Sequence, residues 1–155
     1  MNRGTDHLPE IFRRVRSKCP DAIFLLTGSP PTELTKLEGV VLLGYLDDRA
    51  LPLLINAVNV SCIITSNTRF GRYSYPAKLC EAMACGTPVV ATATDPVRWM
   101  LRKSPRSLVP TNDPIAFSEQ VIKSLEQSRV AYGRQESWYE LSEQFESMLR
   151  ETITA

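Results

Sequence analysis

Residues 72–91 constrain the fold more than any other segment, because they place a loop, a helix, a stop signal and a strand in immediate succession. The polar loop ends at Pro76, and proline is tolerated in the first turn of a helix, where its missing N–H would have no partner. Gly86 suits the left-handed conformation that ends many helices. Residues 88–91 are apolar and include two adjacent β-branched valines, which predicts a buried strand.

The start of this predicted helix is suited to an anion. The N–H groups of Ala77, Lys78 and Leu79 have no intrahelical acceptor, and they lie at the positive end of the helix dipole. Backbone donors in that position favour phosphate. The segment therefore predicts an anion site built largely from main chain.

Short apolar runs alternate with helical patterns along the rest of the chain. Strands are predicted over 22–28, 39–44, 58–65, 88–91 and 107–110, and helices over 5–18, 48–57, 77–85, 95–103, 112–128 and 135–152. Such alternation gives right-handed crossovers and a parallel sheet with helices on both faces. We therefore expect residues 1–155 to form a single domain of the α/β class, a Rossmann-like three-layer α/β/α fold.

Residues 81–91 read Glu-Ala-Met-Ala-Cys-Gly-Thr-Pro-Val-Val-Ala. They resemble the signature of the retaining glycosyltransferases of GT-B fold, in the C-terminal domain that binds the nucleotide sugar. The resemblance implies that Glu81 accepts hydrogen bonds from the ribose hydroxyls of the donor. It also implies that the segment before it, with Ser74, Tyr75, Ala77 and Lys78, lines the diphosphate. The alternative for Glu81 is a solvated surface charge.

The sequence departs from the family pattern at Tyr73. Family members usually carry a second glutamate there, followed by Gly-Phe-Gly, and that glutamate lies beside the transferred sugar; here Ser-Tyr-Pro follows a tyrosine. A tyrosine cannot supply a carboxylate. The Tyr-Pro-x-Lys form resembles a branch often associated with cell-surface polysaccharide synthesis, in which Lys78 is a candidate point charge for a phosphate. The alternatives are that Lys78 is a surface charge and that Tyr73 and Tyr75 cover the helix edge.

Loops at the carboxyl ends of the predicted strands should share the binding rim with this segment. Gly28 follows the first of these strands, and Tyr45 and Leu46 follow the second. The resemblance implies that the second loop approaches the nucleobase, often through its backbone. The alternative for Tyr45 is an ordinary aromatic residue on the rim.

The amino end, Arg3-Gly-Thr-Asp, resembles the basic-Gly-x-Asp step that opens the first helix of this domain in the family. The resemblance implies that Arg3 contacts the diphosphate; the alternative is a disordered terminal charge. The family's central strand and Gly-Arg pair do not precede this step here, so we expect a fragment without the acceptor domain and without that strand. The strands at 22–28 and 58–65 must then pair together, borrow a strand from another chain or leave backbone groups unpaired.

Composition fits one α/β domain. The 155 residues are 43% hydrophobic with a formal net charge of +1, which argues against a nucleic-acid partner. No apolar run approaches the roughly eighteen residues of a membrane span. Four cysteines without metal-type spacing are typical of reduced thiols in a cytoplasmic protein, and neither a metal nor a cofactor is expected. We expect His7 to lie at the surface.

Two classes of function stay open at this point. The first is the donor-binding half of a hexosyltransferase, which moves a sugar from a nucleotide diphosphate to an acceptor hydroxyl in polysaccharide or glycoconjugate synthesis. Its other half would be an N-terminal GT-B domain in the same or another chain, against which the helix at 135–153 packs and through which the protein could meet the inner face of a membrane. The second class is a noncatalytic nucleotide-binding or degenerate domain. No catalytic residue is assigned, and we expect the isolated chain to transfer nothing.

Overall fold

The structure is a computed structural model that describes residues 5–153. Its strands are β1 Phe24–Thr27, β2 Val40–Gly44, β3 Ser61–Ile63, β4 Val89–Thr92 and β5 Leu108–Val109. Its α-helices are α1 Leu8–Lys18, α2 Thr32–Thr35, α3 Ala50–Ala57, α4 Arg69–Tyr73, α5 Ala77–Ala84, α6 Asp95–Met100, α7 Pro114–Leu125 and α8 Trp138–Ile153. The predicted order of strands and helices is confirmed, and the fold is α/β with parallel strands.

The strands form two parallel sheets. One sheet pairs β1 with β2, and the other has the order β3-β4-β5. Within residues 5–153, β1 and β3 are not paired with each other. Three outcomes were expected for these two strands, and direct pairing is wrong. Each strand bonds to a different neighbour instead, β1 to β2 and β3 to β4.

Strand β4 lies between the two apolar layers. Val89 and Ala91 contribute to a cluster with α5 and α6 that includes Leu79 and Val97. Val90 points to the opposite face, into a cluster with α1, β5 and α7. Side chains alternate between the faces of a strand, so a strand buried on both faces must be apolar throughout, as this one largely is.

The connection from α5 to β4 depends on a left-handed turn. Gly86 has φ +66°, as predicted for the residue that ends the helix. The Val130 N–H donates to the Gly86 carbonyl at 2.8 Å, and the Tyr132 hydroxyl accepts from the Val89 N–H at 3.0 Å. Arg129 donates to Thr87 and to the carbonyl of Asn56. The 129–132 segment therefore ties the amino end of β4 to α3.

Three local expectations need correction. Residues 69–73, part of the predicted loop region, form α4, whose N-cap Thr68 accepts a hydrogen bond from the Gly71 N–H at 3.2 Å. Helix α6, predicted over 95–103, ends at Met100, and its N-cap is Thr94. The helix predicted over 112–128 covers Pro114–Leu125, and its N-cap Asp113 accepts a hydrogen bond from the Ala116 N–H at 2.9 Å.

Alanine substitutions at two leucines should distinguish a core position from a surface position by their effect on the free energy of unfolding. Leu79 on α5 is fully buried, whereas Leu53 on α3 is 72% exposed. Leu79→Ala should lower the free energy of unfolding by about 2–5 kcal/mol, because it leaves a cavity beside β4. Leu53→Ala should change it by less than about 0.5 kcal/mol. Urea titration followed by circular dichroism measures both, and equal losses would contradict the assigned core.

The thiol of Cys62 gives the stability an alkaline limit. Burial raises the pKa of Cys62 from 9.0 to about 12. The folded state then holds the proton more tightly, so the stabilisation is complete below pH 9 and is lost as the pH rises from 9 towards 12, by about 1.4 kcal/mol per pH unit. We expect Cys62→Ala to flatten this loss of unfolding free energy and Cys19→Ala to leave it. Parallel slopes for wild type and Cys62→Ala in pH-dependent urea titrations would contradict the assignment.

Candidate functional site

Helix α4 brings the predicted loop to the carboxyl end of β3. A methyl group at Gly71 would lie 1.9 Å from the Ser66 carbonyl oxygen, so only glycine allows this approach. The Thr65 N–H is in turn bonded to Thr92 Oγ1 at 2.8 Å, which fixes the end of β3 against β4. The chain leaves α4 at Tyr73 and enters α5 at Ala77. The close approach of Gly71 to Ser66 therefore positions the short connection formed by residues 74–76.

The first turn of α5 presents unpartnered backbone donors. Its N-cap is Pro76, which supplies no side-chain cap, and the Leu79 N–H bonds to the Pro76 carbonyl at 2.9 Å. The N–H groups of Ala77 and Lys78 have no acceptor among residues 5–153. Both residues are exposed. The helix start thus has the donors that an anion requires.

Positive charge is concentrated on the same segment. Arg69, Arg72 and Lys78 are exposed, and residues 66–80 contain no aspartate or glutamate. None of these three cations forms an ion pair within the described part of the chain. The two arginines were not singled out from the sequence, although the lack of acidic residues over 66–80 is a signal that could have identified them.

Glu81 lies one turn into α5, on the same helix as Lys78. The residue is half-buried, and its Oε2 atom is buried without a hydrogen-bond partner among the described residues. Buried carboxylate oxygens are normally satisfied by donors. The Oε2 atom therefore keeps unused acceptor capacity, although the residue as a whole is only partly removed from solvent.

Tyr75 folds back onto α5. The Cys80 thiol donates to the Tyr75 hydroxyl at 3.3 Å. The hydrogen bond with Cys80, followed by burial and by the charges of Cys80 and Glu136, raises the pKa of Tyr75 to about 12. Tyr75 is therefore a neutral phenol at physiological pH, with a ring that remains 54% exposed beside the helix start.

The neighbouring residues of the loop differ in exposure. Tyr73 is 85% exposed, and Ser74 is half-buried. Tyr73 ends α4 and is not packed into the helix edge, so the proposal that it covers that edge is not supported by its exposure.

A second group of predicted residues follows β1 and β2. Gly28 has φ +76°, and its N–H donates to the Gly44 carbonyl at 2.7 Å. A methyl group at Gly28 would lie 3.8 Å from the Tyr45 ring, so the structure brings these two residues into contact. Tyr45 is 84% exposed and Leu46 is half-buried. This pair forms an open aromatic surface at the carboxyl end of the smaller sheet.

A small cleft lies at the carboxyl ends of β3 and β4, which the strand order places on the predicted binding rim, although none of its lining residues was singled out there as a site residue. Its volume of about 10 Å³ holds about one water molecule, and its polar lining comes from His7, Thr65, Ser66, Thr92, Asn112 and Asp113. His7 is half-buried here, so the expectation of a surface histidine is only partly met.

Thr94 was not predicted as a site residue. It follows β4, is 3% exposed, and its Oγ1 is buried without a partner within residues 5–153. Its place after a strand puts it on the predicted rim, but the isolation of its hydroxyl depends on residues that are distant in the chain.

The remaining expectations concern the terminus, metals and membranes. Arg3 lies outside the described residues. Among residues 5–153, no three His, Cys, Asp or Glu side chains are grouped as metal ligands. No helix in that part of the chain has both the length and the apolar character needed to cross a membrane.

Comparison with known sequences decides the family. The sequence pattern of the family described as "Glycosyl transferases group 1" matches residues 1–127, which include both groups of predicted residues. The chain belongs to this family. The matched residues include both sheets, the start of α5 and Glu81, and the match ends two residues after α7.

A curated relative agrees with the assignment. The chain is 33% identical over 90 residues to a phosphatidyl-myo-inositol mannosyltransferase of Mycobacterium leprae (strain TN). The match covers 57% of this group 1 glycosyltransferase chain and 23% of the relative, so the chain corresponds to only part of that protein.

Replacing Glu81 should stabilise the unliganded chain. Glu81→Met keeps the length of the side chain and its helix propensity and removes the buried unpartnered oxygen, so the free energy of unfolding should rise by about 1 kcal/mol. Glu119→Met on the exposed face of α7 is the control and should change it by less than about 0.5 kcal/mol. Thermal and urea unfolding measure both. A loss of stability in Glu81→Met would show that the carboxylate already has a partner.

Proposed function

We propose that this chain is the donor-binding half of a glycosyltransferase. It binds a nucleotide-diphosphate sugar, from which a hexose is transferred to an acceptor hydroxyl in polysaccharide or glycoconjugate synthesis. The observation that carries the proposal is the half-buried Glu81 carboxylate, which has an unpartnered oxygen one turn behind a free helix start. The family assignment supports sugar transfer, and the donor role is our inference from this geometry.

The diphosphate is assigned to the start of α5. The N–H groups of Ala77 and Lys78 would donate to its oxygens, with Lys78 as a point charge and Ser74 and Tyr75 as hydroxyl donors. Arg72, on the last turn of α4, adds a guanidinium that can form paired hydrogen bonds with phosphate. The same groups would stabilise the charge that develops on the diphosphate as it leaves, which is commonly the largest electrostatic contribution to catalysis.

The ribose is assigned to Glu81. An ionised carboxylate only accepts hydrogen bonds, and the adjacent hydroxyls of a ribose are two donors at neighbouring positions. Hydrogen bonds to a charged group contribute about 1.5–3 kcal/mol each. A ligand hydroxyl would thus satisfy a group that the protein leaves unsatisfied.

The base is assigned to the loops after β1 and β2. The exposed Tyr45 ring offers an aromatic face, and the backbone of Leu46 offers hydrogen-bonding groups. Gly28 has no side chain, so the Tyr45 ring can lie close to its backbone. The side chains of these loops do not discriminate between nucleobases. The proposal therefore includes uridine, guanosine and adenosine diphosphates.

Helix α8 is assigned to the interface with a companion domain. Apolar side chains recur along one face of the helix at three- and four-residue spacing and are exposed: Trp138, Leu141, Phe145, Met148 and Leu149. An amphipathic helix of this kind normally buries its apolar face. We propose that an N-terminal GT-B domain, in the same or another chain, covers it and supplies the acceptor site in the cytoplasm.

A second candidate is a noncatalytic nucleotide-binding domain. The exposed Tyr73 favours it, because a tyrosine cannot replace the carboxylate that relatives place beside the transferred sugar. In either case residues 1–155 alone should bind nucleotide without transferring sugar.

Calorimetric titration with UDP, GDP and ADP tests donor binding. At least one nucleotide should bind in the micromolar to millimolar range, and Glu81→Ala should weaken it by about tenfold to a hundredfold, because the hydrogen bonds to a charged acceptor are lost. Lys78→Ala should weaken it less and reduce its dependence on salt. Lys123→Ala, exposed on α7, is the matched control and should bind as wild type does.

The 2′-deoxynucleotide separates a ribose contact from a change in structure. Wild type should bind it more weakly than the ribonucleotide, whereas Glu81→Ala should bind the two equally, as a double-mutant cycle requires. Absence of heat with every nucleotide at millimolar concentration would rule out the donor site. If nucleotide binding is unchanged in Glu81→Ala, the donor site stands, but the assignment of the ribose to Glu81 is wrong.

A further inference from the structure

The outer face of α6 and the turn that follows it are strongly basic. Residues 96–112 contain no aspartate or glutamate, but four cations: Arg98, Arg102, Lys103 and Arg106. All four are exposed, and none forms an ion pair in the part of the chain that the structure describes. Because the formal net charge of the whole chain is only +1, the remaining residues are net acidic. The charge of the protein is therefore distributed unevenly, with a positive surface at this place.

The same segment exposes a tryptophan. Trp99 on α6 is 61% exposed, whereas its neighbours Val97, Met100 and Leu101 are buried in the apolar cluster shared with α5 and β4. These three side chains fix the helix to the core, so Trp99 is presented on a rigid element. A single exposed aromatic residue is ordinary on a protein surface, and its meaning depends on what surrounds it. Here it is surrounded by cations.

Arg102 is ordered against the tryptophan. Its guanidinium carbon lies 4.7 Å from the centroid of the Trp99 ring, and its Nη1 donates to the Trp99 carbonyl at 2.8 Å. The first contact is a cation–π interaction. A guanidinium carries five N–H donors, and the hydrogen bond to Trp99 uses one of them. A charged group with donors to spare and an aromatic ring are thus held side by side.

These residues lie far along α6 from the proposed donor site. Strand β4 leads into α6 at its carboxyl end, so the helix starts near the binding rim and returns towards the amino ends of the strands. Arg106 lies two residues before the start of β5, at the amino end of that strand. We call Trp99, Arg102, Lys103 and Arg106 the Trp99 surface. It faces away from the rim on which the diphosphate was assigned and is not part of that site.

We propose that the Trp99 surface binds a lipid bilayer that carries anionic headgroups. Clustered lysine and arginine side chains are attracted to such a bilayer, and their effect falls off within about 10 Å of it at ordinary ionic strength. Tryptophan is the second element of the fit, because its apolar ring and polar N–H suit the level of the headgroups. Binding of this kind is peripheral and reversible.

Single-stranded nucleic acid is the weaker fit to the same charges. Proteins that bind it combine a basic groove with several aromatic rings on which successive bases stack. The Trp99 surface offers one ring, and that ring is already in contact with Arg102. The small net charge of the chain also argues against a polyanion as its partner.

Co-sedimentation of the full chain with vesicles tests the proposal. Vesicles of equal parts phosphatidylcholine and phosphatidylglycerol should bind the chain, and vesicles of phosphatidylcholine alone should bind it at least tenfold less. Each cation near an anionic bilayer contributes about a fivefold factor, so Arg102→Gln, Lys103→Gln and Arg106→Gln together should lower the partition coefficient by about a hundredfold. The single variants Lys103→Gln and Arg106→Gln, at exposed positions, should each lower it by about fivefold.

A charge-matched triple variant distinguishes this surface from the net charge. Arg13→Gln, Lys18→Gln and Lys123→Gln remove the same charge from exposed positions on α1 and α7. This control should bind anionic vesicles within about threefold of wild type, because charges further than a Debye length from the bilayer are screened. Equal losses in the two triple variants would overturn the proposal, as would equal binding to both kinds of vesicle. Far-ultraviolet circular dichroism checks that each variant is folded.

Tryptophan fluorescence tests the role of the ring. Trp138→Phe leaves Trp99 as the one tryptophan of the chain. Its emission should shift to shorter wavelength with anionic vesicles, and brominated lipid should quench it, because the ring enters the headgroup region. Unchanged emission from vesicle-bound protein would overturn the assignment of this surface. Displacement of the chain from the vesicles by an oligouridine of equal total charge would identify nucleic acid as the partner and overturn the bilayer.

Discussion

The burial of β4 on both faces is the constraint on which the larger part of the structure depends. Val89 and Ala91 are fixed in one apolar layer and Val90 in the other, so α5 and α7 can pack only on opposite sides of the sheet. The turn at Gly86 then determines where α5 ends relative to β4. Because α5 is a rigid helix of eight residues, fixing its end also fixes its start. The packing of the core therefore determines where the backbone donors of the proposed diphosphate site lie.

Strands β1 and β3 each have a hydrogen-bonded neighbour on one edge only. Strand β3 has β4 on one edge and no described neighbour on the other, and β1 has only β2. Apolar side chains such as Leu42 remain exposed there, because a layer forms only where strands and helices enclose it from both faces. The aromatic surface of Gly28 and Tyr45 therefore lies at the end of the less fully packed β1-β2 sheet, whereas Glu81 lies on α5, which packs against β4 of the other sheet.

Local patterns predicted those features that are themselves local. The glycine stop at Gly86 and the strand at 88–91 each follow from a few adjacent residues, and both are confirmed. Helix α4 was missed because five residues are too short for a periodic apolar signal, and its stability comes from the contact of Gly71 with Ser66. The 129–132 segment and the isolated hydroxyl of Thr94 depend on partners far away in the chain, which no spacing rule contains.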